Sequence, residues 1–244
     1  MIEKLQHLVL VRHGESEGDV RRQAWRTGQA YTTNKTPDEE ELTKLGYDQS
    51  EISGNWLKNN LLLGGFAISA FKASFVSSVF RTEQSALAMD LPGSLWQEDP
   101  RLNERNRGKV RGLTKEQHKK QYPKSYLQMQ TDPITWQPPD GESVLDVANK
   151  LTDFFQDIQS TSSVIVAGHR DSMWAFMVPI EGLTSEQLSK VDTNDIKNGQ
   201  IWHYTSIDPK TGESQPTLMW KRSINPNFNQ HKTNWQKIEN CIPA

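Results

Sequence analysis

The sequence predicts an α/β fold: a three-layer sandwich with a mostly parallel central sheet and helices on both faces. Three observations predict it. Leu8-Val9-Leu10-Val11 and Val164-Ile165-Val166-Ala167 are short, unbroken apolar runs, the pattern of strands covered on both faces. The first stops at Arg12-His13-Gly14 and the second at Gly168-His169, so each delivers polar groups to its carboxyl end. Between them the apolar spacing changes to that of helices, as strand–helix–strand units require.

In chain order, Leu8–Val11 is the first strand, and Thr43 caps a helix over residues 44–60. Ala73–Ser78 reads as a strand and turn leading into a helix over 82–89. Thr114 with Gln117 three residues on marks a capping box ahead of a helix over 116–121. Ser143 opens a helix over 144–158, in which Val144, Val147, Leu151, Phe154, Phe155 and Ile158 recur at helical spacing and so face the sheet. After the strand Val164–Ala167, residues 200–207 and 217–224 read as strands, with Asp208-Pro209-Lys210-Thr211-Gly212 as a turn between them. Two stretches, 19–41 and 122–140, lack clear periodicity. They predict irregular lid segments over about 19–41 and 105–140, and the tail from Asn225 to Ala244 is expected to wrap the surface.

With 244 residues, a single domain over 1–244 is expected. The 28 Lys and Arg against 30 Asp and Glu give a net charge of −2, which argues against a nucleic acid or an anionic membrane as partner. The acids at 38–41 are expected to lie away from any anion site. The longest apolar stretch, Met173–Ile180, falls far short of the roughly 20 residues that span a bilayer. A lone Cys241 excludes a disulfide framework, and the N-terminus is too polar for a signal peptide, so a cytoplasmic monomer or homodimer is expected. The six histidines show no metal-ligand spacing, and no phosphate-cradling G-x-x-x-x-G-K is present, so neither metal nor cofactor is expected.

The chemistry concentrates at strand ends. In open α/β sheets ligands bind beyond the carboxyl ends of strands. Arg12, His13 and His169 stand there, and Arg81 follows the strand at 73–78. Two arginines and two histidines converging make a site for a tetrahedral dianion, because guanidinium forks match phosphate oxygens.

Around these residues the chain resembles the histidine phosphatase superfamily, often called phosphoglycerate mutase-like. The resemblance runs in order through Arg12-His13-Gly14-Glu15-Ser16, Leu42-Thr43-x-x-Gly46, Arg81-x-x-Gln84-Ser85-Ala86, Leu102-Asn103-Glu104-Arg105-x-x-Gly108-x-x-x-Gly112, Gly141-Glu142-Ser143 and Gly168-His169. It implies a phosphoglycerate mutase-like fold and a phosphatase acting on small-molecule phosphomonoesters. His13 would be the nucleophile that becomes a phosphohistidine. Arg12, Arg81 and His169 would hold the phosphoryl oxygens, and Glu104 would be the general acid and base. Gly14 and Gly168 would spare the phosphate the crowding of a Cβ.

Two positions depart from the family pattern. Asp19 stands where the family usually has a phosphate-binding asparagine, and a carboxylate about 4 Å from a phosphate charge costs about 4 kcal/mol at an effective dielectric of 20. Either Asp19 turns away, or Arg21 and Arg22 neutralise it, or catalysis is weakened. Arg170-Asp171 follows His169 where a small residue is usual. Ser16, Asp19, Arg21, Arg105 and Arg170 are therefore the candidate substrate-binding residues, and the basic ones among them predict a preference for a second anionic group.

Three alternatives remain. Leu102-Asn103-Glu104-Arg105 is similar to the acid motif of cofactor-dependent phosphoglycerate mutases, while the short stretch from Gly112 to Pro138 favours a phosphatase. Gly14-Glu15-Ser16-Glu17-Gly18 also satisfies G-x-S-x-G, which would make Ser16 a nucleophile served by His169 or His203. A phosphate-binding pseudoenzyme or sensor is the third, with Asp19 as its support.

Overall fold

A computed structural model describes residues 4–27, 34–36, 38–63, 69–228 and 230–239. Among these, seven strands form one sheet: β1 His7–Arg12, β2 Ala73–Val76, β3 Trp96–Glu98, β4 Ser163–Gly168, β5 Ile201–Thr205, β6 Trp220–Asn225 and β7 Gln230–Lys237, in the order β3-β2-β4-β1-β5-β6-β7. β3, β2, β4 and β1 are parallel neighbours, and β5, β6 and β7 extend the sheet with antiparallel pairings. The sheet is thus mixed, with its parallel half holding the strand ends that matter.

β1 lies at the centre, in register with β4 from His7 opposite Ser163 to Arg12 opposite Gly168. Because successive side chains of a strand point to opposite faces, Leu8 and Leu10 enter one core while Val9 and Val11 enter the other. The first core is covered by α6 Val144–Asp157 and α7 Arg170–Glu181, the second by α2 Lys44–Leu57 and α3 Phe80–Ala88. The periodicity read in α6 places Val144, Val147, Leu151 and Phe154 in the core with Ile158 beyond its end, and leaves Phe155 half-buried. All three predicted caps are formed: Thr43 accepts from the Gly46 amide, and capping boxes join Thr114 with Gln117 and Ser143 with Asp146.

Each segment expected to be irregular contains helix among its described residues. Residues Glu17–Arg26 form α1, whose sequence lacks a strong apolar stripe because it packs through Gly18, Asp19 and Arg21, that is, through charge pairing. The second segment folds as α4 Lys115–Gln121 and α5 Pro123–Thr131; α5 buries none of its residues, which is why no apolar period announces it. The tail does not simply wrap the surface, since β7 adds an edge strand to β6. Residues 28–33 and 37 of the first expected lid, and Cys241 in the tail, lie outside the described residues. No helix among the described residues is long and apolar enough to cross a membrane.

Candidate active site

The parallel register of β1 and β4 brings their ends together, so His13 and His169 meet edge to face with ring centroids 5.2 Å apart. The β2–α3 turn then supplies Arg81 from the first turn of α3. The three side chains are buried, as is that of Arg12.

His13 Nδ1 lies 2.6 Å from the carbonyl oxygen of Gly14. A carbonyl only accepts, so Nδ1 carries the hydrogen and Nε2 presents a lone pair. Arg81 Nε donates toward that lone pair at 3.4 Å. Burial first, then Arg81, His169 and Arg12, push the His13 imidazole well below its ordinary value against the opposing pull of Asp19. The ring is neutral at pH 7.

His169 is fixed by a chain of bonds that no single motif displays. Asn103 Oδ1 accepts from the Ser78 amide and from Ser77 Oγ, each at 2.9 Å, so the hydroxyl proton of Ser77 is already used. His169 Nε2 therefore donates to Ser77 Oγ at 2.9 Å, and Nδ1 turns toward Arg81, 3.3 Å away, and Glu104 Oε2, 3.8 Å away. Burial, Arg81 and Arg12 hold this imidazole well below its usual value too. Glu104 is partly exposed at the wall of a chamber of about 710 Å³ that also contains His13, Arg81 and Ser16.

Asp19 turns away. Its Oδ1 accepts from Arg12 (2.8 Å) and Arg22 (3.2 Å), and its Oδ2 from the Ser16 amide (3.1 Å), Ser16 Oγ (2.9 Å) and Asn198 (3.2 Å). Burial alone would raise its pKa; the fields of Arg12 and Arg22 and the Ser16 bond overcome this and hold the carboxyl below the ordinary carboxylate range. Arg21 does not share in this neutralisation, because it pairs with Glu40. Arg12 also donates to the Ile196 carbonyl at 2.7 Å, while its Nε is buried without a partner among the described residues. Burial brings its pKa down to about 10, so it remains a cation at neutral pH.

Arg105, Arg107 and Arg170 converge on buried Asp171, at 3.1, 2.7 and 3.2 Å. Burial alone would raise the Asp171 carboxyl; Arg107, Arg105 and Arg170 hold it well below the usual range. Arg105 stacks over Trp136, its guanidinium carbon 5.6 Å from a ring centroid, and keeps Nη1 buried and without a partner among the described residues. Arg170 and Arg105 both line the chamber.

Three expectations are corrected by this geometry. Ser16 faces a carboxylate, since its Oγ donates to Asp19, while His169 is bonded to Ser77 and His203 to His7 at 3.1 Å, so neither histidine serves the G-x-S-x-G serine as base. Gly14 serves the chain's own backbone rather than the phosphate: a Cβ there would sit 2.0 Å from the Gly46 carbonyl oxygen, and a Cβ on Gly46 would sit 2.0 Å from that of Glu15. The Leu42-Thr43-x-x-Gly46 motif is thus the place where α2 docks on the loop carrying His13. The acids at 38–41 do not all lie elsewhere, because Glu40 is buried in the chamber wall. Ser77, Asp171, Asn198 and the Ile196 carbonyl were not legible as site residues. The last two meet Asp19 or Arg12 across more than 170 positions of sequence. Among the described residues no group of three His, Cys, Asp or Glu side chains is arranged to hold a metal.

Comparison with known proteins finds relatives in sequence and in fold. A phosphoglycerate mutase of Nitrobacter hamburgensis, named as 2,3-bisphosphoglycerate-dependent, is 33% identical over 192 residues, covering 75% of this chain and 84% of its own. The phosphoglycerate mutase of Schizosaccharomyces pombe is 28% identical over 192 residues, covering 75% and 83%. A mycobacterial glucosyl-3-phosphoglycerate phosphatase complexed with VO3 superposes with a TM-score of 0.60 at 20% identity, covering 82% of this chain and 91% of that one. A phosphoserine phosphatase from Entamoeba histolytica in complex with 3-phosphoglyceric acid does so with a TM-score of 0.61 at 16% identity, covering 82% and 90%. The profile of the histidine phosphatase superfamily, branch 1, matches residues 8–208, and the chain belongs to that family.

Proposed function

We propose that the protein is a phosphatase that hydrolyses small-molecule phosphomonoesters through a phosphohistidine on His13. The observation that carries this reading is the orientation of the His13 ring, with Nδ1–H tied to the Gly14 carbonyl and Nε2 held as a lone pair beside Arg81 and His169. In the first step Nε2 attacks phosphorus, the ester P–O bond breaks, and Glu104 gives its proton to the leaving oxygen. Arg12 and Arg81 offset the charge on the phosphoryl oxygens, and His169 joins them by taking up a proton on Nδ1 when the anion enters the site. The positive charge that develops on the imidazole rests on Nδ1–H, between the Gly14 carbonyl and Asp19, whose Oδ2 is 3.9 Å away. In the second step water attacks phosphorus, Glu104 takes its proton, the P–N bond breaks and phosphate leaves. Arg105 and Arg170, held from behind by Asp171, form the wall that receives a second anionic group of the substrate.

Two observations support hydrolysis over isomerisation. The solved structures named above are called phosphatases, and residues 112–138 are short, folding as α4 and α5 beside the chamber. The mutase reading draws on the names of the sequence relatives and on Leu102-Asn103-Glu104-Arg105. Incubation with 3-phosphoglycerate, with and without 2,3-bisphosphoglycerate, separates them: phosphate release in both conditions is expected, and isomerisation without release would make the protein a mutase. Quenching a labelled phosphomonoester reaction without acid should trap label on His13 and none on His13→Asn. A wild-type protein that binds phosphate but never carries label would be a sensor.

A further inference from the structure

Glu40 is a carboxylate inside the substrate chamber to which the proposed chemistry gives no task. It is 3% exposed, lines the same cavity as His13, Arg81 and Glu104, and pairs with Arg21. Its neighbours in electrostatic reach are Arg21, Arg81, Arg111 and Arg22, so it sits where cations of the chamber converge. The chain is built to admit it. Gly18, in the first turn of α1, has no side chain where a Cβ would lie 2.1 Å from Glu40 Oε2, and Lys35 ties Glu17 to Glu41 at 2.9 Å each, holding Glu41, the neighbour of Glu40, against α1.

The two basic walls of the chamber therefore differ. Asp171 is buried behind Arg105, Arg107 and Arg170 and leaves their outer faces toward the cavity, whereas Glu40 itself lines the cavity beside Arg21 and Arg111. An anionic group reaching the Arg21 wall meets the protein's own carboxylate, and like charges in a partly desolvated site repel strongly. A hydroxyl or an ammonium there meets an acceptor instead.

We propose that Glu40 is a specificity-determining residue: it selects phosphomonoesters whose leaving group presents a hydrogen-bond donor, a hydroxyl or an ammonium, to the Arg21 side of the chamber, and it rejects those that place an anion there. This rests on the phosphatase reading of the site. It gives Arg21 the part of orienting Glu40, in place of the substrate-binding role expected from sequence.

The test compares O-phosphoethanolamine, which offers an ammonium, with phosphoglycolate, which offers a carboxylate. The ratio of their kcat/KM values cancels any loss common to both. In Glu40→Gln that ratio, ammonium over carboxylate, should fall at least tenfold. Gly18→Ala keeps the charge but displaces the carboxylate, and should move the ratio in the same direction. A ratio unchanged within twofold in folded Glu40→Gln overturns the proposal, and Glu40→Asp serves if the glutamine variant does not fold. If the wild-type protein releases phosphate from neither compound nor from p-nitrophenyl phosphate, the phosphatase reading fails. Calorimetric affinities of the same two compounds for the wild-type protein and the variants then decide Glu40, by the same tenfold criterion.

Discussion

Replacing Asp19 by asparagine, the residue the family usually carries there, separates two effects that the sequence alone merges. From sequence, a carboxylate beside a bound phosphate should weaken binding. The structure shows it bonded to Arg12 and Arg22 and facing Nδ1 of His13 at 3.9 Å, behind the nucleophile rather than in front of it. Full development of a positive charge on that ring would gain about 4 kcal/mol from Asp19 at an effective dielectric of 20. With half the charge formed in the transition state, about 2 kcal/mol is lost on neutralising Asp19, a fall in kcat of about thirtyfold. Arg12, released from its charged partner, gains strength toward phosphate by about one charge-assisted hydrogen bond, so vanadate should bind about tenfold tighter. Steady-state kinetics with vanadate as competitive inhibitor reads both quantities. Affinity and rate should therefore move in opposite directions. A kcat that stays level or rises would refute the idea that Asp19 supports the charged imidazole, and an unchanged inhibition constant would remove Asp19 from the site. The variant should also lose about 3 kcal/mol of stability, since Arg12 and Arg22 each exchange a charged acceptor for a neutral one; that lowers the melting midpoint by about 6–12 °C.

Three further outcomes follow from burial and close approach. Because burial and the flanking cations depress His13, the nucleophile stays neutral on mild acidification, and the acid limb of kcat/KM should lie below pH 6.5; a limb at or above 6.5 would contradict the desolvated site. His7, lowered to about 4 by burial and Arg222, adds a stability effect of known sign: between pH 6.5 and about 4 the unfolded chain binds a proton that the folded chain refuses, so stability falls as pH falls through that window. The loss is about 3 kcal/mol, and His7→Gln should flatten that part of a melting-temperature profile. Gly46→Ala places a Cβ 2.0 Å from the Glu15 carbonyl oxygen, backbone against backbone, and should cost about 3 kcal/mol in denaturant unfolding and displace the His13 loop. A fully active and stable Gly46→Ala would show that α2 and the loop can part without consequence.

The sequence by itself determined the sandwich, the two strands that end in histidine, the capped helices and the gathering of Arg12, His13, Arg81 and His169, to which the family resemblance added Glu104. Each rests on local information: an unbroken apolar run, a helical period, a capping residue, a glycine beside a histidine. What the tertiary structure decided depends on partners distant in the chain. The edge strand β7, polar but for Trp235, becomes a strand because β6 offers unpaired backbone groups. α1 is held by ion pairs that no period announces. Asp19 reads as an intruder in the phosphate site until Arg12 and Arg22 beside it and Asn198, brought from far along the chain, surround it. Glu40 reads as one acid in a solvated run until the ion pairs of Lys35 and of Glu40 itself with α1 carry it into the chamber. Charge taken one residue at a time is uninformative about its destination, because the cost of burying it depends on which opposite charges the fold brings within reach.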